Sequence, residues 1–176
     1  MNISTTVRRT VTGVVVAGVA VGVSTVAAGT ASATPADHLC TAGEVTTTLV
    51  PGSPGAGQRY ASVQFTANPD RGCSLRGTLE LHLEGAPNVL IGNPSDTGPL
   101  VTITNGQSAN MLLHWSAIDA PQQQETPTAI TVTFPGDESS APTSVTLPWQ
   151  QGPMDTSTNT SGLTANTIEA GIAPAA

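Results

Sequence analysis

The chain of 176 residues contains no lysine, only five aromatic side chains and only two cysteines. Its five cationic side chains are all arginine and face twelve Asp and Glu, for a formal charge of −7. That inventory cannot build a basic patch, which excludes a partner held through phosphate charge, nucleic acid included. No stretch carries the apolar period of an amphipathic helix, and no apolar run of spanning length follows residue 33. Gly-x-Ser-x-Gly, Ser-x-x-Lys and Cys-x-x-Cys patterns are absent, so hydrolase and thiol-redox chemistry have no anchor in the sequence. What abounds instead is Thr, with 27 residues, beside 18 Gly and 14 Pro. Such a composition suits short strands and turns.

The first 33 residues read as an address. Polar residues precede Arg8-Arg9, residues 11–28 are uncharged and rich in Val, Ala and Gly, and Ala31-Ser32-Ala33 presents small residues at an exit. This is the order of a secretory signal peptide, with the cut expected between Ala33 and Thr34. Retention of residues 11–33 as an N-terminal membrane anchor is the alternative, since that stretch is long enough to span; its Gly, Ser and Thr content favours cleavage. Cys40 follows Asp37-His38-Leu39, which is not a lipoprotein box, and Arg8-Arg9 lacks the surroundings of a twin-arginine signal. Residues 34–176 keep three arginines against twelve acids, a net charge of −9. The expectation is a secreted or envelope-associated protein with no stable membrane insertion after cleavage and a surface that repels anionic partners.

In an oxidising compartment the only two cysteines, Cys40 and Cys73, read as one disulfide. Beyond them the side-chain period is two. Val45, Thr47 and Leu49 alternate with Thr46 and Thr48; Ala61, Val63, Phe65 and Ala67 alternate with Ser62, Gln64 and Thr66. Residues 73–84 are the cleanest run, with Cys73, Leu75, Leu79, Leu81 and Leu83 on one face and Ser74, Arg76, Glu80 and His82 on the other. That pattern predicts one half-buried strand. Further strands are expected near residues 88–91, 100–104, 109–116, 130–134, 145–149 and 163–169, with Asn105-Gly106 as the strongest short-range turn signal. Seven to nine short strands predict an all-β, antiparallel, immunoglobulin-like β-sandwich with one disulfide, a single domain over residues 34–170 and a loose tail at 171–176.

Several blocks together carry a resemblance: Cys40-Thr41-Ala42, the strand Arg59-Tyr60-Ala61-Ser62-Val63-Gln64-Phe65-Thr66, Gly72-Cys73-Ser74-Leu75-Arg76-Gly77, Asn105-Gly106-Gln107-Ser108-Ala109 and Leu112-Leu113-His114-Trp115. Over residues 40–149 the chain resembles the secreted actinobacterial family catalogued as domain of unknown function 4232. Members pair an early cysteine with one in a Cys-Ser/Thr-Leu-Arg-Gly segment. Many continue Tyr-Pro-Gly where this chain has Thr78-Leu79-Glu80, and many carry a second cysteine pair that is missing here. The resemblance implies an exported β-sandwich and no agreed activity.

Tested residue by residue, the chemistry is sparse. His38, His82 and His114 sit in no motif, and the last two fall on wet strand faces. Glu80 and Glu84, four apart on a strand, are over ~10 Å apart, too far for a retaining carboxylate pair. Asp137-Glu138 could at most hold a weak calcium ion, and turn chemistry explains that pair more simply. Phe65, Trp115, Phe134 and Trp149 fall in the apolar register, which leaves Tyr60 as the lone aromatic on a polar face. Arg76 is expected to pair with Glu80 or Glu84; the alternative is that it anchors an acidic ligand. The Thr-rich residues 156–160 could accept O-linked sugar. No catalytic residue, cofactor or metal site is predicted. The expected role is non-enzymatic, binding or structural, toward an unidentified envelope or extracellular ligand, with an extracellular hydrolase or inhibitor as the alternative. The oligomeric state is left open.

Overall fold

Period-two patterning turns into strands almost throughout. The computed structural model describes residues 38–92, 97–136, 141–156 and 162–174. Ala33, Thr34 and the rest of the leader lie outside the described residues. The first strands are β1 (Val45–Pro51), β2 (Gln58–Ala67), β3 (Gly72–Arg76), β4 (Glu80–Glu84), β5 (Ile91–Gly92) and β6 (Leu100–Thr104). Then come β7 (Ser108–Ser116), β8 (Gln124–Glu125), β9 (Ala129–Phe134) and β10 (Thr143–Pro148). β11 (Met154–Asp155), β12 (Leu163–Ala165) and β13 (Glu169–Ala170) complete the order. The only helical turn among the described residues is the 3-10 turn Pro121–Gln123. The architecture is all-β, with more strands than anticipated because β5, β8, β11 and β13 are two-residue pairings.

Every ladder is antiparallel except that of β12 with β5. The largest sheet runs β1-β2-β7-β12-β5, with β13 also on β7; β10-β9-β4 form a second, and β3-β6 and β8-β11 form two-stranded pieces. β7 sits at the centre, paired with β2 along one edge and with β12 and β13 along the other, and its alternation is strict. Ala109, Met111 and Leu113 are fully buried and Trp115 nearly so, while Asn110, Leu112, His114 and Ser116 point to the other face. Ala61, Val63 and Phe65 of β2 face the same way. Phe65 then meets Phe134 of β9 edge to face with ring centroids 5.8 Å apart, and Trp115 meets Trp149 at 5.1 Å. These contacts join the six-stranded and three-stranded sheets across one core, and each adds about 0.5–1.5 kcal/mol beyond its buried area.

Several expectations change. Residues 73–84 form two strands: β3 pairs with β6, β4 pairs with β9, and Gly77 at φ +62° bends the chain between them. Burial alternates through the bend, with Leu75, Leu79, Leu81 and Leu83 all buried, so the pattern carries no trace of it. Ser74, read as solvent-facing, is buried under the chain lead: it donates through N to His38 O, accepts at O from Cys40 N, and shares a hydroxyl hydrogen bond with Thr102. Asn105 (φ +43°) and Gly106 (φ +82°) do form a tight turn, closed by Gln107 N to Thr104 O at 3.0 Å. It moves the chain from β6 in one sheet to β7 in another and does not close a paired hairpin. Beyond Ala170 the chain stays tied to the large sheet through Gly171 N to Ser108 O and Ala173 N to Gln64 Oε1.

The β1–β2 connection ends in a two-residue turn at Ala56 and Gly57, whose φ values are +46° and +83° and whose flanks exchange hydrogen bonds between Gly55 and Gln58. A left-handed backbone costs alanine roughly 1–2 kcal/mol, whereas asparagine adopts it readily and suits this turn type. Ala56→Asn is therefore expected to stabilise the protein by about 0.5–1 kcal/mol. Urea unfolding measures it, and an unchanged or lowered midpoint contradicts the turn assignment.

Candidate functional site

The chemistry-bearing groups gather where the chain lead meets β3. The Cys40–Cys73 disulfide holds the two Cα atoms 4.8 Å apart, and both cysteines are fully buried. Just after it, Glu44 accepts hydrogen bonds from Thr41 N (3.0 Å), Thr41 Oγ1 (2.9 Å) and His38 Nε2 (2.8 Å). Burial alone would raise the Glu44 pKa; the hydrogen bonds from His38 and Thr41 outweigh it and hold the carboxyl below its ordinary value. Ala42 N donates to Thr143 Oγ1 of β10, so the lead is fastened to a second sheet as well.

The Gly77 bend that separates β3 from β4 opens a groove of about 470 Å³ beside this corner. Leu39, Leu79, Pro135 and Pro142 supply its apolar lining; Arg76, Glu80, Thr78 and Thr133 supply its polar groups. A small cavity of about 30 Å³, sharing Leu39, Arg76, Leu79 and Pro135, continues it toward Cys40. Arg76 does not form the expected pair. It is exposed, and the single ion pair within 4.0 Å among the described residues is His38–Glu44. Glu84 instead accepts from Thr131 Oγ1 at 3.0 Å. The left-handed bend accounts for the difference, since Arg76 and the two glutamates no longer lie on one straight strand.

The other sequence candidates separate. Tyr60 of β2 lies opposite His114 of β7, and their rings stack at 5.0 Å; the His114 ring also hydrogen-bonds Gln58 Oε1. His82 stands exposed on β4. Phe65, Trp115, Phe134 and Trp149 are all in the core. Asp137 and Glu138 lie outside the described residues, as do Thr158 and Thr160, while Thr156 donates through N and Oγ1 to Gln123 O. Among the described residues no group of three or more His, Cys, Asp and Glu gathers as a metal site.

One site went unread. Asp155 of β11 is 4% exposed and accepts from Ile118 N and Asp119 N at 3.1 Å, from Gln124 Nε2 at 2.9 Å and from Ser116. It knots the end of β7 to β8 and β11. No period marks a two-residue strand after Pro153, so only the occurrence of Asp beside buried Met154 could have hinted at it.

Residues 40–169 match the family described as Domain of unknown function (DUF4232). The chain belongs to this family. The match runs 20 residues past the segment that carried the sequence resemblance and takes in β11 and β12 of this DUF4232 chain, whose Met154, Leu163 and Ala165 complete the core beside the Asp155 knot. No curated protein and no solved structure matches the chain. Among the described residues no helix is long and apolar enough to cross a membrane.

Asp155 yields a pH prediction. Burial would raise its pKa, but the hydrogen bonds from Ser116, Ile118, Gln124 and Asp119 win and lower it below the ordinary aspartate value. A folded pKa below the unfolded one contributes stability that is complete above the unfolded value, about 3.9, and fades as pH falls through the folded value. Asp155→Asn is expected to cost about 2–3 kcal/mol at pH 7, and progressively less as pH falls through the folded value. Urea midpoints of both proteins from pH 7 to pH 2 measure this; a pH-independent gap contradicts it.

Proposed function

We propose that this DUF4232 chain is an exported, non-enzymatic module that acts by binding, at the cell envelope or beyond it, with the disulfide corner as its working surface. The observation that carries the reading is the corner itself: a fully buried disulfide whose neighbours, Leu39 on one side and Arg76 on the other, wall an open groove. A pair of this kind belongs to an oxidising compartment, and the leader with its Ala33/Thr34 junction supplies the route. A groove with an apolar lining and a few convergent polar groups is the ordinary form of a ligand site.

The hydrolase alternative rests on the His38–Glu44 contact, since a carboxylate often orients a catalytic imidazole. Here the other carboxylate oxygen is occupied by Thr41 N and Thr41 Oγ1, and among the described residues no hydroxyl bonds to the imidazole. That arrangement favours a loop clamp. It leaves binding as the better reading.

Fractionation of cells that produce the full chain tests the proposal. The expected product lies in the medium or an envelope wash, begins at Thr34, and has the mass of residues 34–176 less two hydrogens. A chain that pellets with membranes and retains its leader, or one that stays inside the cell with both thiols free, overturns it.

A further inference from the structure

Resting on that reading, we propose that the groove at the disulfide corner takes the C-terminal end of a short peptide, with its free carboxylate on Arg76. The inference starts from charge. Residues 34–176 carry only three cations, Arg59, Arg71 and Arg76, against twelve acids. Of these three, Arg76 is the one that lines the 470 Å³ groove, and it makes no ion pair among the described residues. A guanidinium presents a planar fork of donors that matches a carboxylate in two parallel hydrogen bonds, and it stays charged at any physiological pH. In a protein this acidic, a long-range field draws no anion in. The ligand's anionic group must therefore be local and small, and the rest of the ligand must be held by other means.

The remaining lining says what those means are. Leu39 and Leu79 with Pro135 form an apolar wall that suits one or two aliphatic side chains. Thr78 and Thr133 offer hydroxyls that both donate and accept, and Glu80 offers only acceptors. A cation, an acceptor-only carboxylate and two hydroxyls around an apolar wall call for a ligand with a carboxylate, N–H donors, carbonyl acceptors and an apolar side chain. The last residues of a peptide have all four. A fatty acid has the carboxylate and the apolar body but no N–H group to meet Glu80, which would then face the ligand unpaired beside a second negative charge. Capture of a terminal carboxylate is an established mode of peptide recognition. The groove is also rigid where it matters: Arg76 ends β3, whose neighbour Cys73 is fixed by the disulfide, and Glu80 begins β4 in a different sheet. The bend at Gly77 sets the spacing of the two charges.

The test uses the exported protein, labelled with nitrogen-15, and follows its backbone amide signals during titration with acetyl-Ala-Ala-Leu. The C-terminal amide of the same peptide and laurate are titrated separately. The inference expects saturable shifts at Leu39, Arg76, Thr78 and Leu79 with the free acid. Amidation of the peptide is expected to weaken binding about tenfold or more, the loss of one charge-assisted pair. Arg76→Gln should give the same loss with the free acid and leave the rest of the spectrum in place, as an exposed side chain allows. Equal binding of acid and amide, absence of saturation up to ~10 mM, or shifts at these residues with laurate alone each overturn the assignment. Those outcomes leave the wider reading intact, because export and disulfide formation are judged by fractionation and mass; a chain that is never exported sinks both.

Discussion

The bond between Cys40 and Cys73 sets the geometry of everything around it. It joins a residue near the start of the described chain to the interior of β3, a sequence separation of 33. Because the lead is held there, Leu39 bridges Ser74 in parallel, Ser74 is covered, and the Glu44 clasp can close over Thr41 and His38. Without the bond the lead would have only a few hydrogen bonds, those to Ser74 and Thr143 among them, to keep it on the sheets, and chain ends held so weakly fray. The groove wall formed by Leu39 would leave with it.

The rest of the molecule is an economical core. Four of its five aromatic side chains are used in two contacts between sheets, Phe65 with Phe134 and Trp115 with Trp149. Both indoles find carbonyl partners at the edge of the core, Pro153 O for Trp115 and Gly152 O for Trp149, so neither buries an unpaired N–H. The fifth aromatic, Tyr60, stacks on His114 on the outer face of the large sheet. Where the strands grow too short to hold themselves, a buried carboxylate takes over: Asp155 satisfies four donors from segments that share little regular pairing. Apolar layers hold the centre, and local polar knots hold the ends.

The inward-facing set was legible because burial on one face imposes a period of two regardless of which strand pairs with which. Val63, Phe65, Met111, Leu113, Ile130 and Val132 all land where alternation puts them. Pairing was not legible. Leu75 and Leu81 keep the same period on either side of Gly77, yet belong to a different sheet on each side, because alternation records which side faces the core and nothing about neighbours. Asn105-Gly106 likewise specifies a local backbone shape, and whether the flanking strands then pair is decided by the competing partners β3 and β2. The Arg76 pair failed for the same reason, since it assumed one straight strand. Asp155 was invisible because a carboxylate satisfied by backbone amides from distant segments leaves no local pattern. The groove was half legible: its arginine was singled out, and its walls needed the fold.

Family membership assigns no activity, and the clamp is the feature on which the rest of the fold depends. Its direct test is urea unfolding of the purified protein before and after complete reduction, with free thiols counted in denaturant beforehand. The account predicts no free thiol and, for a loop of 33 residues, a stability loss on reduction of about 3–4 kcal/mol. Two titratable thiols in the untreated protein, or identical unfolding curves with and without reductant, would contradict it.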